Sequence, residues 1–399
     1  MTSNATLARL RQAVSQHASE PRRRVSTREL PPIERILRGE WRETEHGAVF
    51  LREDWFTLDH QHGRLPLGAP LDASPIGLAR LLRAEQVPHP SKLAFFDLET
   101  TGIASGTGTY IVLAGIGSYE AGAFRLRQYF LADIAEERAM LAALSADLTE
   151  CEGLVTFNGR SFDVPLLAGR LALARLPNPT QRMTHFDLLH PVRRLYKHRM
   201  PGCRLAEAER RLLRLERHED IPGSIIPSLY FAYVRAGQAA PLRAVFAHNA
   251  EDVLSLAGLL ASLGALLADD PSDPEDAVAV ARWWERERQP ERAAALYERA
   301  VPWLKGGEHW EWAAARYASL CRRAGRHQEA VIIWRELSAV GNRAAQLHMA
   351  KHLEHRTKEH AAALEAVEGL LQHARGEEEA SLRHRAARIS AKLIRTAQI

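Results

Sequence analysis

At 399 residues the chain has room for two or three domains, each with its own core. Its three cysteines, Cys151, Cys203 and Cys321, are far apart and odd in number, which argues against a disulfide framework and a cysteine-built zinc cluster. A net charge of +4 permits a polyanionic partner without requiring one.

Residues 1–40 are polar and arginine-rich, with Arg22-Arg23-Arg24 as a basic cluster, and read as a mobile arm holding one weak amphipathic helix. No basic-then-apolar signal pattern opens the chain, so a cytoplasmic protein is expected. Residues 41–66 predict a hairpin that turns at Gly47, with Ala48-Val49-Phe50-Leu51 on one strand and with His60 and His62 solvated in a loop. Arm and hairpin form an extension over residues 1–90.

From 91 to 268 the apolar runs predict strands at 93–98, 110–118, 122–131 and 153–157, and helices at 135–149 and 161–175. Short turns make the first three strands antiparallel, while the fourth is reached by a crossover helix. Ten basic residues against four acids lie between Arg182 and Arg217, a strong local field for a polyanion. Arg193, Arg194 and Lys197, beside Tyr196, are the favoured substrate contacts, whereas Arg210, Arg211 and Arg214 suit a solvated helix face. Helices dominate from about 204 to 267. The apolar run Val253–Ala268 is shorter than the roughly 20 residues that span a bilayer, so it reads as a buried helix, with no membrane partner.

Asp269-Asp270-Pro271-Ser272-Asp273-Pro274 is an acidic, proline-broken linker. Beyond it, over 275–399, the chain is helical and repetitive. Gln289-Pro290-Glu291-Arg292-Ala293 recurs in altered form as Arg326-His327-Gln328-Glu329-Ala330, a period of 37, and a weaker unit lies at Glu359-His360-Ala361-Ala362-Ala363. This period is close to that of tetratricopeptide helix pairs, and about three such units are the minimum that buries a continuous core. An irregular helical bundle is the alternative. The tryptophans Trp283, Trp284, Trp303, Trp310, Trp312 and Trp334 suit helix packing better than a base-stacking surface.

Three acidic motifs carry the chemistry. In Ala94-Phe95-Phe96-Asp97-Leu98-Glu99-Thr100-Thr101-Gly102, Asp97 and Glu99 are two apart on a strand and project from the same face. Such a pair is either a solvated strand end or a site for a hard divalent cation. Asp163 follows Asn158 and opens a helix, where the dipole already favours a carboxylate. His248 and Asp252, four apart, share a face of a late helix.

In order and surroundings the three motifs resemble the DEDD 3′→5′ exonuclease superfamily on a ribonuclease-H-like fold. His185-Phe186-Asp187-Leu188-Leu189-His190-Pro191, Asp220-Ile221-Pro222-Gly223 and Ile226-Pro227 narrow the likeness to its YprB-type group, over about residues 90–267. The resemblance implies an α/β mixed sheet flanked by helices, and the 37-residue period adds an all-α tetratricopeptide-like helical-repeat domain after it. It implies Asp97, Glu99, Asp163 and Asp252 as ligands of two Mg²⁺ or Mn²⁺ ions, and His248 as general base. The histidine subclass usually places five steps between base and acid, where this chain has four.

Asn158 matches the asparagine of the second motif, and Thr100, Thr101 and Gly102 are placed to let backbone N–H groups approach a terminal nucleotide. Asp187 reads as a structural or supporting acid. The implied reaction is hydrolysis of a phosphodiester at a single-stranded 3′ end of DNA or RNA by two-metal chemistry. The repeats would recruit a protein partner. A nucleic-acid-binding scaffold with a weak core, or an endonuclease selective for structure, are the other readings.

Overall fold

The computed structural model describes residues 32–102, 108–200, 202–218 and 220–397. The expected arm, with Arg22-Arg23-Arg24, and the centre of the Gly102–Gly108 loop lie outside the described residues. The chain divides into two compact units between Asp269 and Asp270.

The first unit is built on a seven-stranded mixed sheet in the order β1-β2-β7-β6-β5-β8-β9. Its strands are β1 (Glu40–Thr44), β2 (Gly47–Thr57), β5 (Leu93–Thr100), β6 (Ile111–Glu120), β7 (Ala123–Phe130), β8 (Gly153–Thr156) and β9 (Thr184–Asp187). A separate two-residue pair, β3 (Gln61–His62) with β4 (Leu65–Pro66), lies between β2 and β5 in the chain. Antiparallel pairing runs from β1 to β5, and β5, β8 and β9 are parallel to one another. The hairpin pairs β2 with β7 over residues 50–57 and so belongs to the main sheet. Its turn is Glu45-His46 rather than Gly47, which opens β2 with φ of 118°, a conformation that glycine adopts without strain.

Both faces of the sheet are covered, which explains why β5 begins Leu93-Ala94-Phe95-Phe96 without polar alternation. Ala94, Phe96 and Leu98 pack on one face against Met140 and Leu144 of α3 (Glu137–Thr149) and Leu167 and Leu171 of α4 (Asp163–Leu173). On the other face Phe50, Val112 and Phe130 meet α1 (Ile33–Leu37), Tyr230 of α6 (Ile226–Ala236) and Phe246 of α7 (Leu242–Ala268). Between them, α2 (Pro75–Leu82) and α5 (Leu189–Tyr196) complete the labelled helices of this unit. Each fully buried side chain of this kind contributes roughly 1.5–3 kcal/mol.

The 27-residue α7 is long and apolar enough to cross a membrane by composition, yet 67% of its most apolar window is buried inside the protein. Two close approaches seat it. A Cβ on Gly115 of β6 would stand 2.3 Å from Asn249 Oδ1, and one on Gly77 of α2 would stand 2.0 Å from the Gly264 carbonyl. Only glycine lets the sheet and α2 come that near.

His62, expected in solvent, is instead buried, and its Nε2 is 2.8 Å from Ser255 Oγ on α7. Burial, then the positive charge of Arg217, holds its pKa down at about 4. The expected four core strands and two helices are present within a few residues of their places, but β9 was not among them.

The second unit is all helical: α8 (Pro274–Arg286), α9 (Pro290–Ala300), α10 (Trp310–Arg323), α11 (His327–Ala339), α12 (Arg343–His352), α13 (His360–Leu371) and α14 (Gly376–Ala397). Each helix packs on the next. Ala293, Ala330 and Ala363 are fully buried in α9, α11 and α13. Five residues before each stands a left-handed residue: Arg288 (φ 57°), Gly325 (φ 78°) and Lys358 (φ 60°). Four of the tryptophans are packing residues as expected, but Trp303 is 81% exposed and Trp312 39%.

Candidate active site

The site forms where β5 meets α4 and α7. The pleat turns Phe95, Asp97 and Glu99 toward α7, opposite to Ala94, Phe96 and Leu98. Asp97 sits opposite Gly115 of β6, beneath Asn249. The amide of Asn249 donates to Asp97 Oδ2 at 2.9 Å, and its own oxygen accepts from Gln128 Nε2 at 3.0 Å. Gln128 also donates to the Phe246 carbonyl at 2.8 Å, which fastens this buried relay to the backbone of α7. Register shifts between Glu99 and Thr100, ending the regular β5–β6 ladder beside the acids.

His248 and Asp252 lie one turn apart on α7. His248 Nε2 is 3.8 Å from Glu99 Oε1 and 3.8 Å from Asp252 Oδ2, while its Nδ1 is 2.6 Å from Asp220 Oδ1. Ligand atoms of Glu99, His248 and Asp252 all lie within 4.8 Å of one another. Asp163, the first residue of α4, completes the acidic ring electrostatically, because its charge raises the pKa values of Asp97 and Glu99.

The electrostatics are strongly unfavourable to four bare carboxylates. Burial, then the charges of Asp252 and Asp163, lifts Asp97 well above the usual carboxylate range. Burial and then Asp97, Asp252 and Asp163 do the same to Glu99. Asp163 is pushed up to about 7, mainly by burial, against the relief of a backbone hydrogen bond at its helix start. Asp252 is also raised by burial, with Arg217 and His248 opposing. Oxygen donors with one imidazole, crowded and short of positive charge, fit a hard divalent cation, and Glu99, His248 and Asp252 have ligand atoms close enough to share one.

One protein cation reaches in. Arg217, expected within a basic run facing substrate, instead turns inward and bonds Asp252 and the buried Glu209, with its Nη1 3.2 Å from Asp220 Oδ2. A single guanidinium thus ties the Asp252 motif to the Asp220 motif. Burial alone would raise Asp220, but its hydrogen bond to His248 and the charges of His248 and Arg217 hold it below the ordinary range. A cavity of about 360 Å³ opens beside this network, lined by Leu215, Arg217, Asp220, Ala247, His248 and Glu251.

Asp187, at the end of β9, accepts backbone N–H bonds from Asn158 (2.8 Å), Arg160 (3.0 Å) and Leu189 (3.2 Å). It therefore pins the loop from which α4 and Asp163 start. Asn158 occupies the left-handed region with φ of 70°, which asparagine tolerates better than most residues. The hydroxyl of Thr100 donates to the Gly102 carbonyl at 2.8 Å, and that of Thr101 accepts from Tyr110 N–H at 2.9 Å, so both are engaged within the loop. A Cβ added at Gly102 would meet no other described residue within 4 Å. Arg193 and Lys197 are exposed, four apart on α5 and its C-cap, and Arg194 between them is half-buried.

A mixed sheet with β5 inside it and acids gathered at the end of that strand defines a nuclease-type α/β core, and residues 94–263 match the family model RNase_H_2, described as RNase_H superfamily. The chain belongs to the RNase H superfamily. Among known proteins it is 32% identical over 337 residues to the uncharacterized protein YprB of Bacillus subtilis (strain 168), spanning 81% of this chain and 80% of that one. Membership makes a nuclease the general class, nucleic acid the substrate and divalent ions the usual cofactors.

No sequence period marks the part of Asp220, Glu209, Asn249 or Gln128, because each finds its partner only through the fold. Asp220 carries a testable consequence. Asp220→Asn keeps the shape but removes the charge that orients His248, so cleavage should fall roughly 10- to 100-fold, read as initial rates across pH 6–9. An unchanged pH–rate profile and rate would show that the Asp220–His248 contact has no part in the reaction.

Proposed function

We propose that the core is a metal-dependent 3′→5′ exonuclease. The observation that carries this is the convergence of Glu99, His248 and Asp252, with Asp97 and Asp163 electrostatically coupled to them. Asp97, Glu99, Asp163 and Asp252 would hold two Mg²⁺ or Mn²⁺ ions. When bound, such ions supply charge stabilisation to the scissile phosphate and acidify the attacking water.

The chain's own groups do the rest. Asp220 accepts the Nδ1 proton of His248, which leaves Nε2 as the free base facing the acids, 3.8 Å from two of them. His248 takes the proton of the attacking water at Nε2. The four-residue spacing, which departs from the histidine subclass, keeps His248 and Asp252 on one helical face. Arg193, Arg194 and Lys197 contact the backbone of the substrate, and the buried alanines with their matched left-handed turns support a tetratricopeptide-like reading of the second unit.

The test is cleavage of single-stranded DNA and RNA, labelled at the 5′ end, with Mg²⁺ or Mn²⁺. A ladder that shortens from the 3′ end and disappears with EDTA is expected. Internal cuts would make the enzyme an endonuclease, and intact but gel-shifted substrate would make it a binding scaffold.

A further inference from the structure

The second unit carries a groove of about 600 Å³ formed by α8, the start of α9 and α10. Arg282, Arg286, Arg288, Arg316 and Arg323 line it, together with Trp312, against a single carboxylate, Glu285. That carboxylate is already committed: both its oxygens bond Arg316, and one also accepts from the Tyr297 hydroxyl at 2.8 Å. Arg286, Arg288 and Arg323 have no carboxylate within salt-bridge distance among the described residues, and all three are exposed. Arg282 lies over the Trp312 ring at 4.8 Å. Its pKa is lowered by burial and then by Arg286 and Arg316, against the opposing effect of Tyr297 and Glu285.

We propose that this groove is a second nucleic-acid site, in which the arginines hold the phosphates of a single strand and Trp312 stacks on a base. Guanidiniums form bidentate bonds to phosphate and stack on flat rings, and no lysine lines the groove. Trp312 meets Tyr297 edge-on and Arg282 over its ring yet stays exposed, and a nucleic acid brings a π face with every phosphate, which an acidic peptide does only where it carries an aromatic residue. Only the choice of polyanion rests on the reading of the core as a nuclease.

The test uses the full chain carrying Asp97→Asn, so that bound substrate survives, and follows anisotropy of a labelled single-stranded oligonucleotide over a range of salt. Arg286→Glu/Arg288→Glu/Arg323→Glu should weaken binding at least about tenfold at low salt and flatten the log–log salt slope by about 2, at ~0.7 per lost phosphate contact. The triple glutamine variant should show a smaller loss of the same kind, and both should keep the parent's melting temperature. Trp312→Ala should cost about fivefold at every salt with the slope unchanged.

Affinity within about twofold of the parent in all three variants would overturn the proposal, as would a polyglutamate peptide that binds the groove where the oligonucleotide does not. The two readings fail separately. Loss of cleavage by the native chain with groove-dependent binding intact would defeat the nuclease alone, and cleavage with groove-independent binding would defeat the groove alone.

Discussion

Replacing Asp97 by asparagine is expected to lower cleavage about a thousandfold while making the metal-free protein more heat-stable. The two effects have one cause. Asp97 sits beside Asp252 and Asp163, and its ionised form is disfavoured by burial and by both neighbours. Asparagine keeps an oxygen to accept the 2.9 Å bond from Asn249, so the buried relay to Gln128 is preserved. What disappears is one negative charge. On the proposed function that charge is a metal ligand, and losing charge stabilisation of several kcal/mol corresponds to about three orders of magnitude in rate. For the fold its loss relieves repulsion, worth on the order of 1 kcal/mol, or about 2–4 °C in a unit of this size. Initial rates on the labelled single strand and thermal melts in EDTA check both. A variant that cleaves within tenfold of the native chain would remove Asp97 from the site.

Much of this arrangement was legible because it is periodic. The placement of Asp97 and Glu99 on one face follows from the two-residue repeat of a strand, and that of His248 and Asp252 from the turn of a helix. Continuous apolar character in β5 and in Val253–Ala268 marked a sheet covered on both faces and a helix buried in the core. What stayed hidden depends on partners distant in sequence. Arg217 reads as one more cation in a basic run, and only the fold turns it onto Glu209 and Asp252. Asp220 is 28 residues from His248, in a segment without regular periodicity. His62 looks solvated because its neighbours Gln61 and Gly63 are polar or small, and its partner Ser255 is 193 residues away. The short β9 and the docking of β2 on β7 are likewise decided by long-range pairing, to which local propensity is blind. Exposure of Trp312 depends on how α8 and α10 leave a groove between them, which no helical period encodes.

Metal-free protein should lose stability as pH rises from 6.5 to 8, and divalent metal should restore it more strongly at pH 8 than at pH 6. The sign follows from proton counting. Asp163 titrates at about 7 in the folded chain against 3.8 as a free group, so in that interval the folded state holds a proton that the unfolded state has released. Stability from this group is complete below the lower value and is lost as pH climbs through the higher one. Asp97 and Glu99 are raised in the same sense. His62 and His185 act in the opposite sense below pH 6.5, because both are held near 4 and resist protonation when folded.

Comparison with Asp163→Asn removes that opposing contribution. The variant should gain on the native chain by on the order of 2 kcal/mol between pH 5 and pH 8, after allowance for solvent screening of a partly exposed group. Metal binds the deprotonated carboxylates, so ligation and proton release are linked, and the melting temperature should rise with Mn²⁺ more in the native chain than in Asp163→Asn. Equal metal stabilisation of the two proteins at both pH values would mean that Asp163 is no ligand.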